Sequence, residues 1–169
     1  MENLYDTMET NQEYQLKLYD ETLLTFSLNV GRFGDITCSF SLRNVDPTAW
    51  MKFPLDMELT GEGILKWLRK RILPKSRRFA DEILRSLGLR RNNVKGIIDV
   101  CKGLSLNDSY WVVPTGSAGE FSQYNLYENR FSEALALVAY TGVGSTDAAF
   151  TTSPELTTNG MLPKAWRFL

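Results

Sequence analysis

The sequence contains no histidine and only two cysteines, Cys38 and Cys101. Without histidine, the chain lacks the commonest general base, the histidine-dependent nucleophile pairs and the commonest zinc ligand. Two cysteines at this separation form neither a disulfide framework nor a metal-binding motif. These absences weigh against hydrolases and metalloenzymes. They also favour a reducing cytoplasmic location.

Long apolar runs are also missing, so the sequence offers no segment that could cross a bilayer. Residues 1–13 are polar and acidic, whereas a secretory signal has a basic start and an apolar core. With 43% hydrophobic and 23% charged residues among 169, the composition is that of a soluble globular protein. We therefore expect a cytoplasmic protein that does not enter a membrane, built as one domain or as two small packed lobes.

Charge is distributed very unevenly, although the net charge is only −1. Residues 66–95 hold eleven of the 19 basic residues and two of the 20 acidic ones, so they carry +9 and the rest of the chain carries −10. This asymmetry predicts either a basic face for an acidic partner or two oppositely charged surfaces of the chain that meet each other.

Hydrophobic periodicity changes along the chain. Apolar residues alternate with polar ones over 14–19, 22–30 and 35–42, which predicts an antiparallel meander of three strands. A further short strand is predicted over 110–113, ended by Pro114.

Helical spacing replaces the alternation after residue 60. The sequence predicts a helix over 61–72 capped by Thr60, a second capped by Ser76 and ended by Gly88, and a third from Asn92 or Asn93 to Gly103. A fourth, more apolar helix is predicted over 131–140.

The expected fold class is α+β. A small antiparallel sheet, formed by the N-terminal meander and a central strand, packs with a basic three-helix subdomain and one further apolar helix. The expected divisions are a polar arm (1–13), a single domain (14–142) and a mobile segment with a Gly-x-x-x-Lys loop (143–169). Within the domain we expect the meander at 14–42, the basic helical subdomain at 60–103, and a strand and helix at 104–142.

Basic residues on the predicted helices are the candidates for partner binding. Three alternatives stay open: a solvated helix face partly paired with the chain's own acidic half, a surface for an acidic protein, or a nucleic-acid surface within 66–95 that uses a helix-turn-helix arrangement. The candidates are Arg69, Arg71, Lys75, Arg77, Arg78, Arg90 and Arg91.

Catalytic and cofactor sites find little support in the sequence. Glu120, Glu128 and Glu133 lie among tyrosines, but nothing in their spacing defines the distance between two carboxylates, so structural roles are favoured over acid–base catalysis. We predict no catalytic residue, no metal site and no cofactor. Near the C-terminus, Gly160 and Lys164 could hold an anion at a glycine turn, yet the pattern is not a Walker motif, and a terminal turn is the better interpretation.

Three segments together resemble the amino-terminal region of HipA-like Ser/Thr protein kinases, in the versions common in clostridial-type genomes and their prophages. They are LSLNDSYWVVP (104–114), NLYENRFSE (125–133) and SPELTTNGMLPKAWR (153–167). The likeness covers most of 60–167. It implies an N-terminal lobe of sheet and helices, with a Ser/Thr-x-x-Gly-x-x-x-Lys loop that contacts ATP phosphates. Thr157, Gly160 and Lys164 match that loop.

The family's catalytic Asp and metal ligands lie downstream of this loop, and the sequence ends at Leu169. Because phosphoryl transfer needs a positioned metal and a base, we expect this chain to be inactive as a kinase. The expected function is a non-catalytic interaction or regulatory module. Its partner would be a separate kinase lobe or, if the gene is phage-borne, a host defence protein that it inhibits. The alternatives are a truncated fragment of a toxin–antitoxin kinase, or a DNA-binding helical module.

Overall fold

The computed structural model of the protein describes residues 10–90, 93–129, 137, 138 and 140–143. Four antiparallel strands form one sheet in the order β3-β2-β1-β4, and the α+β fold class is confirmed. The strands are β1 (Thr10–Leu18), β2 (Glu21–Val30), β3 (Ile36–Val45) and β4 (Tyr110–Pro114). The helices are a 3-10 turn (Pro47–Ala49), α1 (Gly61–Arg71), α2 (Ala80–Ser86), α3 (Val94–Cys101) and α4 (Phe121–Tyr124). None of these helices is long and apolar enough to span a bilayer.

The main core lies between one face of the sheet and helices α1, α2 and α3. Alternate residues of the central strands point into it, as the period-two pattern predicts. Tyr14 faces Phe26 across β1 and β2, and their rings stack at 5.8 Å. β1 begins at Thr10, inside the region predicted to be a polar arm, because its backbone pairs with β2 as far as Val30.

The opposite face of β4 builds a smaller core. Trp111 is fully buried there, and its indole N–H donates to the Tyr19 carbonyl at 2.5 Å. The short helix α4, which was not among the predicted helices, supplies Phe121 to this cluster. The sheet therefore has apolar packing on both faces near β4.

The edge strand β3 is interrupted and partly covered. Phe26 pairs with Phe40 and Leu24 pairs with Val45, so residues 41–44 bulge out of the ladder. Gly61, the first residue of α1, contacts the Cys38 carbonyl so closely that a side chain would not fit there. A bulge and a helix end together limit pairing of this edge with another strand.

The ends of α1 and α3 agree with the sequence. Thr60 Oγ1 accepts a hydrogen bond from the Gly63 amide at 3.0 Å, and Asn93 Oδ1 accepts from the Gly96 amide at 2.9 Å. Both are N-caps that satisfy otherwise unpaired amides of the first turn.

The predicted start of α2 at Ser76 is wrong. After Pro74 the chain forms a turn in which the Arg77 amide donates to the Pro74 carbonyl at 3.0 Å. Phe79 then takes a left-handed backbone conformation (φ 59°), so the helix begins only at Ala80. Its predicted end is confirmed, because Gly88 (φ 70°) follows the C-cap and the Leu89 amide donates to the Leu84 carbonyl at 2.8 Å, as in a Schellman motif.

The fourth predicted helix falls largely outside the described residues. Residues 137, 138 and 140 of the predicted 131–140 range are helical, and Val138 is buried in the main core.

Candidate interaction surfaces

Arg71, at the end of α1, lies inside the protein with only 8% of its surface exposed. Its guanidinium donates to both carboxylate oxygens of Asp108 at 2.7 Å and to the carbonyls of Gly103 at 2.6 Å and Tyr110 at 3.1 Å. The same group lies 4.4 Å from the centre of the Trp67 ring. A bidentate pair of this kind joins the end of α1 to the loop that leads into β4.

These contacts use the Arg71 guanidinium internally. Arg71 was expected on the partner-binding surface, and the structure assigns it a structural role instead. Desolvating an arginine is unfavourable unless its donors are satisfied, which Asp108 and the two carbonyls accomplish here.

Four of the other candidate residues are exposed: Arg69, Lys75, Arg78 and Arg90. Within the part of the chain that the structure describes, none of the four forms an ion pair. Arg78 covers the Phe79 ring at 4.6 Å, Arg77 is half-buried, and Arg91 is outside the described residues. Lys66 and Arg85 lie in the same basic block and are also exposed, although they were not among the predicted partner-binding residues.

In a helix-turn-helix arrangement the second helix is the recognition helix, which enters the major groove. Helix α3 follows α2 and would take that role. It contains one cation, Lys95, which pairs with Asp99 at 2.8 Å. Asp99 also accepts a hydrogen bond from the buried Tyr14 hydroxyl at 2.5 Å. Burial is the larger cause of the raised pKa of Tyr14, and the contact with the Asp99 carboxylate adds to it. The charged groups of α3 are therefore engaged with each other and with the sheet, an arrangement that does not favour reading of bases in a groove.

The carboxylates considered for catalysis have structural partners. Glu120 and Gln123 form a capping box, in which the Glu120 carboxylate accepts from the Gln123 amide and the Glu120 amide donates to Gln123 Oε1 at 3.1 Å. The Glu128 carboxylate accepts from Asn125 Nδ2 at 3.2 Å. Glu133 lies outside the described residues. Among the residues described, no group of three or more cysteine, aspartate or glutamate side chains could hold a metal ion.

The two cysteines are free thiols in apolar surroundings. Burial raises the pKa of Cys38 to about 12 and that of Cys101 to about 11, above the ordinary value of 9.0. Since the thiolate is the nucleophilic form, neither group is activated at neutral pH.

Three large apolar side chains project from the loop between β3 and α1, which we call the 46–57 loop. Trp50 is 55% exposed, and Met51 and Leu55 are almost completely exposed. Trp50 and Phe53 are both apolar enough in sequence to anchor this segment, but in the structure only Phe53 packs against the main core. Ala49, Pro54 and Met57 are buried as well.

The 46–57 loop is held by hydrogen bonds and an ion pair at its start and in its middle. Asp46 accepts hydrogen bonds from the amide and hydroxyl of Thr48 at 2.8 and 2.7 Å, and they lower the pKa of its carboxyl. Lys52 pairs with Glu21 at 2.5 Å, and its carbonyl accepts from the Tyr110 hydroxyl at 2.7 Å. The exposed apolar side chains thus extend from an anchored backbone.

The proposed phosphate-loop residues Thr157, Gly160 and Lys164 lie outside the described residues.

Comparison of the chain with known proteins identifies no matching family model, no matching curated protein and no matching solved structure. The resemblance to HipA-like kinases therefore stays a prediction.

Proposed function

We propose that this protein is a non-catalytic module that binds another protein through the 46–57 loop. The observation that carries the proposal is the set of three exposed, large apolar side chains, Trp50, Met51 and Leu55, within six consecutive residues. Single exposed apolar residues are normal, but such a cluster is typical of an interaction site.

The composition of the loop suits a protein partner. Tryptophan is enriched among the residues that dominate binding energy, and methionine is enriched at interfaces. Because the backbone is already anchored by Asp46 and Lys52, less conformational freedom is lost when a partner binds.

Two ion pairs lie beside the apolar side chains of the loop. Lys52 pairs with Glu21 at 2.5 Å, and Asp56 pairs with Lys70 at 3.4 Å. A polar rim around an apolar centre is the usual anatomy of a protein–protein interface. We therefore expect the partner to present an apolar patch to the loop.

Affinity capture tests the proposal directly. The tagged wild-type protein and a Trp50→Ser/Met51→Ser/Leu55→Ser variant are used as baits in extracts of the native host, and captured proteins are quantified by mass spectrometry. We expect one partner at near-stoichiometric amount with wild type and at least a tenfold loss with the variant. All three positions are exposed, so the unfolding midpoint should be unchanged.

The matched control is Phe33→Ser, which removes an apolar side chain that is 96% exposed in the β2–β3 turn. This control should capture the partner as well as wild type. Equal capture by the triple variant and wild type, or no stoichiometric partner at all, would contradict the proposal.

Because the chain resembles HipA-like kinases, the first candidate partner is a separate kinase lobe. The second candidate is a host defence protein. An open reading frame that continues in phase beyond Leu169 would instead support the kinase-fragment alternative. In that case the captured partner should be dispensable for kinase activity of the longer chain.

A further inference from the structure

We infer that a groove along α2 binds an acidic segment of a partner protein, anchored by one apolar side chain. The inference rests on the proposed function of this protein as a binding module. It adds a second site and the chemistry of its ligand.

The groove follows one face of α2 and the turn after it. The residues of α2 that line the groove are three to four positions apart, so their side chains lie on the same side of the helix. Its volume is about 440 Å³, and its lining residues are Asp81, Leu84, Arg85, Gly88, Leu89 and Arg90.

The floor of the groove is apolar. Leu84 is 3% exposed and Leu89 is half-buried. Beside them Gly88 has open space where a side chain would stand, with no heavy atom within 4 Å of that position. A volume of this size lies within the range of ligand sites and admits a large apolar side chain with part of its backbone.

Arg85 and Arg90 give the groove its charge. Both are exposed, and neither forms an ion pair with any residue in the described part of the chain. A guanidinium binds a carboxylate through two parallel hydrogen bonds, so each arginine suits a glutamate or aspartate of the ligand. The surrounding 66–95 block carries +9, and this excess charge favours the approach of an acidic segment.

The lining favours a peptide over a nucleic acid. Among the residues that the structure describes, no aromatic side chain lines the groove, so bases have no ring there on which to stack.

Peptide display provides the test. Random twelve-residue peptides are selected on the immobilised wild-type protein, with counter-selection on an Arg85→Glu/Arg90→Glu variant. We expect the selected peptides to combine aspartate or glutamate with a nearby leucine, isoleucine or phenylalanine. In fluorescence anisotropy, a labelled selected peptide should bind wild type at least tenfold more tightly than the double variant.

Two further variants make the result interpretable. Arg85→Gln/Arg90→Gln removes charge without reversing it and should also weaken binding, while circular dichroism checks that the fold is retained. Lys66→Glu/Lys75→Glu makes the same charge change at exposed positions outside the groove and should alter binding less than threefold.

The inference is overturned if the selected peptides are not acidic, or if they bind the Arg85→Glu/Arg90→Glu variant as well as wild type. It is also overturned if a twelve-nucleotide single-stranded DNA binds the groove more tightly than they do. The Trp50→Ser/Met51→Ser/Leu55→Ser variant should bind the peptides normally. Equal partner capture by this variant and wild type, with intact peptide binding, would therefore refute the loop proposal alone. Partner capture that depends on the loop, without selection of acidic peptides, would refute the groove alone.

Discussion

Arg71 and Arg85 come from the same basic block and both belong to helices, yet Arg71 is buried and Arg85 is exposed. Arg71 points inward, satisfied by Asp108 and two carbonyls, whereas Arg85 is exposed at the rim of the α2 groove. The inner side combines buried polar contacts with the main core. The outer side carries cations that are open to a ligand. One basic sequence block therefore contains both residues that stabilise the fold from inside and residues that stay exposed.

The largest expected effect is on the reaction rates of the two cysteine thiols, Cys38 and Cys101, which pack in or against the main core. A pKa raised from 9.0 to about 12 lowers the thiolate fraction of Cys38 at pH 8 about a thousandfold, and about a hundredfold for Cys101, whose pKa is about 11. We expect reaction with an aromatic disulfide reagent to be slower by roughly these factors in the native protein than in denaturant. A Cys101 thiol that reacts at the denatured rate in the native protein would contradict its burial.

The same thiols predict a pH dependence of stability. Their folded pKa values lie above the unfolded value of 9.0, so the stability they contribute is complete below pH 9 and is lost as pH rises through about 11 to 12. Denaturant midpoints measured between pH 7 and 11 should fall above pH 9. For a Cys38→Ala/Cys101→Ala variant, the decrease in this interval should be smaller.

Arg71→Ala should produce the next largest effect. It leaves the Asp108 carboxylate without its partner and two carbonyls without their donor. Because Asp108 is 32% exposed and water can partly replace the guanidinium, we expect a loss near the lower end for buried pairs, about 3 kcal/mol. Urea denaturation measures it. The nearby exposed Arg69→Ala is the control, and equal effects of the two substitutions would remove the distinction between inner and outer arginines.

Gly88→Ala should have a smaller effect on the outer side. The residue ends α2 at φ 70°, where an L side chain is strained although space is available, so we expect a loss of about 1 kcal/mol. Gly88→Asn should cost less, because asparagine adopts this conformation more readily. Alanine and asparagine variants with the same unfolding midpoint as wild type would argue against the helix end described here.

The smallest expected effect on stability is that of Arg85→Gln/Arg90→Gln. These exposed cations have no ion pair among the described residues, so the free energy of unfolding should change by less than about 0.5 kcal/mol. Thermal and urea unfolding would check this. A loss as large as that of Arg71→Ala would mean that the outer arginines are structural as well.

Local patterns were sufficient for much of the fold. Alternation at Tyr14 and Leu16 indicates β1, the caps Thr60 and Asn93 mark two helix starts, and Gly88 marks a helix end. The start of α2 was missed because the turn after Pro74 and the left-handed Phe79 depend on how the chain packs. The candidate sites were harder to predict, since Arg71 and Arg69 are equally basic in sequence.

The class of the fold follows from the sequence alone, because periodicity and capping are properties of a few adjacent residues. Which charges are used internally, and which apolar side chains are exposed, depends on how distant parts of the chain pack together. Trp50 and Arg71 show the reason. Whether either is buried depends on residues far away in the chain, such as Asp108 near β4, and no local pattern records those contacts.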